Sequence, residues 1–325
     1  MAFTQGWAES HIDFLNKLKT FVCDTMTPSG DRWISQRYTT TSGSEELIVR
    51  GKGYSGTDQI YIGLKAYSDS VNDNFALIVN GFTGFNNSLG FYEQPGAMTI
   101  SECVPVLPLL SSNPVNANAI KYWIMADAAH IKIICRTGTV YHQAYLGFYL
   151  PYGTPPTYPY PLIAGGSGVC DSTGKPQKQS DVTSATHAFW KPIDAYNINP
   201  INAHVGSLAV KEPGGSWKRI FNTNNTALSN YSACTGTYPY VEETRGYLSG
   251  FSNMRSNLDG SYTLQPIVLI DGIPANTFGE FTNMRHVTGF NLSSEDVITI
   301  GSDTYLVIQN VFRTGDSDMV AYKLA

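Results

Sequence analysis

The chain has 325 residues, and its charged share of 14% lies well below the roughly 25% of an average globular domain, while its hydrophobic share of 42% is ordinary. Disordered chains combine low hydrophobicity with high charge, so this composition excludes that class. The net charge is −5 and no basic stripe occurs, which argues against nucleic-acid binding. Low charge together with 20 tyrosines, 30 glycines and 17 prolines favours a β-rich subunit that buries surface in an assembly.

The cysteines and the N-terminus bound the class of protein further. The five cysteines are scattered without a C-x-x-C pair, so we expect reduced, buried thiols and neither a disulfide scaffold nor a zinc module. The first residues, MAFTQGWAESH, lack a basic start and a long apolar run, which predicts no signal peptide. The most apolar stretch, Val104 to Leu110, is short and contains two prolines, so no membrane span is expected.

Residues 1–24 are predicted to form the N-terminal helix. Apolar residues recur there at a spacing of three and four, which places them on one stripe: His11, Phe14, Leu15, Leu18, Phe21 and Val22. Two interpretations stay open for the stripe and its candidate interface residues Phe14 and Leu18. The helix either docks on a neighbouring subunit or folds onto the sheet of its own chain.

Residues 25–163 are predicted to form a β-rich domain. It begins with a hairpin over 31–55, and strands follow at 59–67 and 75–80. Asp69 and Asp73 lie in the loop between these strands, but the ordered acidic pattern of a calcium loop is absent, so no metal site is predicted. Residues 86–119 are expected to be a long irregular excursion, in which Val104 to Leu110 forms either an arm across a neighbour or a bridge over the sheet.

Three strands are predicted between Ile120 and Leu150, and Ala126-Asp127-Ala128 is short enough to be a hairpin turn. The third strand alternates strictly, with Tyr141, Tyr145 and Tyr149 on one face and His142 on the other. The tyrosine row is a candidate interface. It is also a candidate stacking platform for sugar, or a face that packs on a second sheet.

A tyrosine- and proline-rich strap follows the third strand. Tyr152, Tyr158 and Tyr160 alternate there with prolines, which fix φ and remove backbone donors, so we expect an extended and irregular segment. Tyrosine supplies a large, stiff contact area with a polar tip. These three tyrosines are therefore candidate interface residues, unless the strap closes the core of its own domain.

Residues 164–255 are predicted to be a linker and an irregular insertion, starting at Gly165-Gly166-Ser167-Gly168. Short strands are expected there at 208–210 and 217–221. Residues 256–325 are predicted to be a C-terminal β meander that packs with the rest, after a first strand at 264–270 in which Pro266 indicates an edge or a late start. The predicted class is mainly β, with antiparallel, sandwich-like sheets, long Pro/Tyr-rich loops and an N-terminal helix.

No catalytic pattern occurs in the sequence. None of the six histidines belongs to an H-x-x-H or H-E-x-x-H motif, and no G-x-S-x-G elbow is present. Glu242 and Glu243 are adjacent, so on a strand they would point to opposite faces. His142 shares its face with alanine and leucine and is predicted to be a core residue. We therefore expect no enzymatic activity, no cofactor and no metal.

Three stretches resemble a family of tailed-bacteriophage virion structural proteins, associated with the tail, baseplate or neck. They are the strands that end in VYHQAYLGFYLPYGTPPTYPYPL, the stretch from Gly56 to Phe85, and the tail from Val287 to Leu324. The resemblance implies a tail or baseplate subunit that contacts copies of itself and other virion proteins. It implies synthesis in a bacterial host cytoplasm and no catalytic residues. The alternatives are a tail module that binds host surface glycan, and a neck or collar component.

Overall fold

The computed structural model describes residues 1–100, 104–109, 120–153, 161–171, 173–176, 187–191, 207–212, 215–220, 236–240, 255–256, 258–271 and 276–324. Strands dominate these residues, and the only α-helix of more than one turn among them lies near the N-terminus. The predicted class, mainly β with antiparallel sheets and an N-terminal helix, is confirmed.

The regular elements of the described residues are twenty strands, one α-helix, a π-helical segment (Thr20–Thr25) that continues it, and two single-turn 3₁₀ helices (Ser29–Asp31 and Phe91–Glu93). The first half contains β1 (Ala2–Ala8), α1 (His11–Lys19), β2 (Ile34–Thr39), β3 (Glu46–Gly51), β4 (Ile60–Asp69), β5 (Asn74–Phe82), β6 (Pro105–Leu109), β7 (Ile120–Ala126), β8 (His130–Thr137) and β9 (Val140–Phe148). The second half contains β10 (Leu150–Pro151), β11 (Leu162–Gly165), β12 (Gly168–Val169), β13 (Leu208–Lys211), β14 (Trp217–Ile220), β15 (Gly236–Tyr238), β16 (Gln265–Asp271), β17 (Asn276–His286), β18 (Val297–Ile300), β19 (Asp303–Gln309) and β20 (Met319–Lys323).

The strands form three antiparallel sheets. The central sheet has the order β1-β7-β8-β9-β11-β13-β14. The first outer sheet has the order β12-β6-β5-β4-β3-β2. The second outer sheet has the order β15-β16-β17-β20-β19-β18, and the short strand β10 pairs with β17. All strand pairs among the described residues are antiparallel, both those joined by a short turn, such as β4 and β5, and those distant in the chain, such as β1 and β7.

The central sheet is covered on both faces, and two hydrophobic cores result. Ile131 and Ile133 point into the first core, which also holds residues of α1 and the first outer sheet. Ile134 points the other way into the second core, which is shared with the second outer sheet. Because side chains alternate along a strand, a sheet covered on both faces requires apolar residues at successive positions, as β7 and β8 show.

The N-terminal segment differs from the prediction, because its first residues form strand β1 rather than a helix. Ala2–Ala8 pairs with β7 along its whole length, a contact that local spacing does not reveal. Helix α1 begins after Ser10, whose hydroxyl accepts a hydrogen bond from the Asp13 N–H at 3.0 Å. Phe14 and Leu18 are fully buried in the first core. The helix therefore folds onto its own sheets, and neither side chain is available to a neighbouring subunit.

Two segments predicted to be irregular are strands inside the fold. Residues 105–109 were expected to form an arm or a bridge, but β6 lies between β5 and β12. The run Gly165-Gly166-Ser167-Gly168 was expected to be a linker, yet it is buried where the chain passes from the central to the first outer sheet. A Cβ on Gly166 would lie 2.4 Å from the Val106 carbonyl oxygen, so glycine is required by close packing rather than by mobility.

The predicted division of the chain at residue 164 does not follow the sheets. Strands β13 and β14 occur where two short strands were predicted, but they extend the central sheet, and β15 joins the second outer sheet. The C-terminal meander of β18, β19 and β20 is confirmed. Strand β17 was not predicted. Strand β16 begins at Gln265 and includes Pro266, which pairs with Arg285 of β17, so the expected edge position or late start is not observed; Pro266 lies only outside the part that β15 covers.

Candidate functional site

The tyrosine row of β9 lies inside the molecule. Tyr141, Tyr145 and Tyr149 are all buried. They belong to the second core, which fills the space between the central sheet and the second outer sheet. The Tyr145 hydroxyl donates to the Phe148 carbonyl at 2.7 Å, and its ring stacks on His130 with 5.2 Å between ring centres. Because sheet packing covers this face, the row is neither a sugar platform nor a contact surface. Of the interpretations considered, packing on a second sheet is the one observed.

His142 lies on the opposite face of β9 and is fully buried, as predicted. Burial lowers its pKa to about 3, so the ring is neutral at physiological pH. Neither ring nitrogen has a hydrogen-bond partner among the described residues. A neutral imidazole with no access to solvent is a packing residue rather than a proton-transfer group.

Tyr152 is the candidate interface residue that the structure places on the surface. Its side chain is 52% exposed, and its hydroxyl donates to Glu280 of β17 at 2.8 Å. Arg285 donates to the other oxygen of the same carboxylate at 3.1 Å. Leu150, two residues earlier on β10, is also exposed. Tyr158 and Tyr160 lie outside the described residues.

Tyr54, in the loop between β3 and β4, is a second exposed tyrosine. It was not among the predicted interface residues. Its side chain is 65% exposed, and its hydroxyl donates to the Asp127 carboxylate at 3.0 Å and lies 3.4 Å from His130 Nδ1. Its position depends on contacts with residues more than seventy positions away. No local pattern signals such contacts.

Asp127 is positioned by the turn between β7 and β8, the predicted hairpin. One carboxylate oxygen accepts the N–H groups of Ala129 and His130 at 2.9 and 3.0 Å, and the Asp127 carbonyl accepts the Trp33 indole N–H at 2.8 Å. Burial opposes ionisation, but the neighbouring His130 and Lys132 and these N–H donors outweigh it and lower the pKa of Asp127. The ionised Asp127 carboxylate therefore accepts a hydrogen bond from the Tyr54 hydroxyl, which keeps its proton.

Lys132 joins this region to the second outer sheet from inside the core. Its ammonium group is fully buried and donates to the carbonyls of Thr282 and Asn283, at 3.0 and 3.4 Å. Asn283 has a φ of 58°, a left-handed conformation that aims its carbonyl away from the ladder of β17. Burial lowers the pKa of Lys132 to about 7. The side chain thus fixes β17 against the central sheet.

Tyr54, Leu150 and Tyr152 together are named the tyrosine rim. Both tyrosine hydroxyls bind carboxylates, one on the β7–β8 turn and one on β17, and these two elements are joined through Lys132. Each ring is therefore held in place while remaining exposed. Chemically, the rim offers rigid apolar area, and the two carboxylates that its hydroxyls contact, Asp127 and Glu280, are buried.

The described residues contain no group of three or more His, Cys, Asp or Glu side chains that is placed to hold a metal ion. None of the described helices is long and apolar enough to cross a membrane.

Comparison of the sequence with protein-family models gives no match, and comparison with curated proteins gives none either. The resemblance to phage virion proteins therefore depends on the three sequence stretches alone.

Proposed function

We propose that this chain is a structural subunit of a tailed-phage virion, located in the tail or baseplate, which acts by binding other virion proteins. The observation that carries the proposal is the tyrosine rim, where two exposed aromatic rings are immobilised by hydrogen bonds to carboxylates. The low charged share of the chain and its resemblance to virion proteins support the same conclusion. No catalytic step is part of the proposal.

Rigid tyrosines are suited to a contact surface for a physical reason. Binding costs free energy when side chains must be ordered, about 0.5–1.5 kcal/mol for each flexible one. A ring whose hydroxyl is already bound loses less freedom when a partner covers it. Tyrosine is also among the residues that most often dominate the energy of protein interfaces. The two tyrosine rings of the rim are therefore already ordered before a partner binds.

The first test asks whether the rim is needed for assembly. The double variant Tyr54→Ser/Tyr152→Ser removes both rings, and we expect a folded protein that fails to enter particles in a complementation assay. Tyr54→Phe/Tyr152→Phe keeps the rings but removes the hydroxyls that fix them, so it is expected to enter less efficiently than wild type and more efficiently than the double serine variant. Val71→Ser changes another highly exposed apolar side chain, at 92%, and serves as the matched surface control. Normal entry of the double serine variant would contradict the role of the rim.

The second test locates the protein in purified particles. Gold-labelled antibody against residues 170–185, viewed by electron microscopy, is expected to mark the tail or its end. Label at the head–tail junction would favour the neck or collar alternative. Absence of the protein from particle mass spectrometry would contradict both the structural role and the tail module that binds host glycan, since each requires the protein in the particle.

A further inference from the structure

Strand β1 forms one edge of the central sheet. Residues Ala2–Ala8 pair with β7 on one side, and no described residue pairs with the backbone on the other side. A row of unpaired N–H and C=O groups is a template for another strand, and proteins usually protect such edges with charge, proline, bulges or short length.

The other edges carry these protections, whereas β1 does not. Strand β14 holds Lys218 and Arg219, and β2 holds Arg37 and a register shift. The edge strands β12, β15 and β18 have only two, three and four residues. Strand β1 has seven residues, AFTQGWA, with no charge and no proline. It is the longest edge among the described sheets and is built for pairing.

One face of β1 also exposes an aromatic ring. Trp7 is 53% exposed and lies in one row with Lys121 of β7 and Arg136 of β8, whose cationic groups are 6.0 and 5.7 Å from its ring centre. Glu295 accepts hydrogen bonds from Lys121 at 2.6 Å, from Tyr141 at 2.8 Å and from Arg136. Glu295 thus positions the two cations, and both cations lie beside the Trp7 ring next to the open edge.

We infer that β1 pairs with β1 of a second copy of this chain, so that the two central sheets become one. This deepens the assembly function proposed above and rests on it. An uncharged strand can pair with itself without charge repulsion, and an antiparallel self-pair has the two-fold symmetry that is commonest among homo-oligomers. Pairing β1 with β14 of another copy would match seven residues with only four, beside Lys218 and Arg219.

The register of the self-pair follows from the length of the strand. All seven residues pair only when Gln5 lies opposite Gln5 of the second copy. Trp7 then lies opposite Phe3 of the second copy on the same face, and the symmetry makes this aromatic contact twice. Aromatic cross-strand pairs add to the stability of a sheet. Gln5 is exposed, so it can be changed without disturbing either core.

The test places charge at the symmetry centre and uses purified full-length protein in analytical ultracentrifugation. We expect wild type to dimerise with increasing concentration, and Gln5→Lys and Gln5→Glu to raise the dimer Kd about fivefold each, because like charges then lie directly opposite. An equimolar mixture of the two variants is expected to recover the dimer, since opposite charges then meet. Circular dichroism checks that both variants fold.

A cross-link provides an independent measurement of the register. Gln5→Cys is expected to form a disulfide between copies under copper–phenanthroline oxidation, because directly opposed antiparallel residues lie within disulfide range. Thr57→Cys, at another exposed position, is the control and should stay uncross-linked. A wild-type protein that remains monomeric up to its solubility limit, or a mixture that fails to restore the dimer, would overturn the inference. A dimer without particle entry would contradict the proposed function alone.

Discussion

At the scale of single residues, the most informative side chain is the buried Lys132. Its pKa of about 7 in the folded chain lies below the value near 10.4 of an unfolded lysine. At a pH between these two pKa values, the Lys132 amine is protonated in the unfolded chain and mostly neutral in the folded chain. The free energy of unfolding contributed by this group therefore rises as the pH increases from about 7 towards 10.

Replacement of Lys132 tests this dependence. Lys132→Met removes the titrating group, and we expect the stability gain between about pH 6.5 and 9.5 to be smaller in the variant than in wild type. Urea unfolding at several pH values measures it. Other groups, such as the buried Cys135, titrate equally in both proteins, so only the difference between them is informative. Parallel pH profiles would show that Lys132 is not the cause.

Gly166 provides a second prediction at this scale. Gly166→Ala would press a methyl group against the Val106 carbonyl oxygen, and we expect a loss of about 1–3 kcal/mol in the free energy of unfolding. Gly30→Ala is the matched control, because an added Cβ there meets nothing within 4 Å. Chemical denaturation compares the two variants. Equal stability would mean that the chain around Gly166 relaxes at little cost.

The run from Gly165 to Gly168 is a feature that local sequence patterns predicted incorrectly. A Gly-Gly-Ser-Gly run is typical of a linker, and nothing local distinguishes it from a buried crossing. The contact with Val106 that requires glycine comes from a strand some sixty residues earlier in the chain. The same is true of Tyr54, whose partner Asp127 is remote in sequence. The sequence shows which residues stand at these positions, but local patterns do not show which distant residues they contact.

At the scale of elements, helix α1 carries a prediction about its apolar stripe. Phe14→Ala empties a fully buried position in the first core, and we expect a destabilisation of about 3–5 kcal/mol, measured by urea unfolding. Asn16→Ala, on the exposed side of the same helix, is the control; it removes only an exposed hydrogen bond from the Tyr38 hydroxyl and should change stability by less than about 1 kcal/mol. A small effect of Phe14→Ala combined with loss of particle entry would restore the docking interpretation.

Strands were predictable where alternation was regular. In β19 the alternation holds, since Tyr305 and Val307 face one cluster and Leu306 and Ile308 face the second core. It breaks at Val311, whose φ of 57° turns its side chain into the second core. Strand β17 was missed because its polar residues resemble a loop, and their partners, such as Lys132 and Tyr152, lie on other strands.

At the scale of the whole molecule, the central sheet should be the most stable part. Strands β8 and β9 lie in its interior and are buried on both faces, so their amides should exchange only through global unfolding. Amides of the edge strand β18, which is largely outside the cores, should exchange faster by local opening. Hydrogen exchange followed by mass spectrometry measures this order. Faster exchange in β9 than in β18 would contradict the expectation that the central sheet is the most stable part of the molecule.

The architecture explains why the domain division could not be predicted. The sequence shows a change of composition near residue 164, and such a change usually marks a boundary. Here the central sheet contains strands from before that position, such as β1 and β9, and from after it, namely β13 and β14. Sheet order is set by pairing between residues that are distant in the sequence, and local patterns of composition and periodicity do not reveal such pairing.

The pairing of β1 with β7 also bears on how the chain is made. During synthesis β1 precedes its partner β7, which begins only at Ile120, by the whole of the first outer sheet up to β6. The second face of the central sheet is covered later still, because β16 to β20 follow β7 in the chain. A nascent chain therefore carries uncovered apolar surface through most of its synthesis, and chains that terminate early retain it. The central sheet can be covered on both faces only after β16 to β20 have been made and have closed over it.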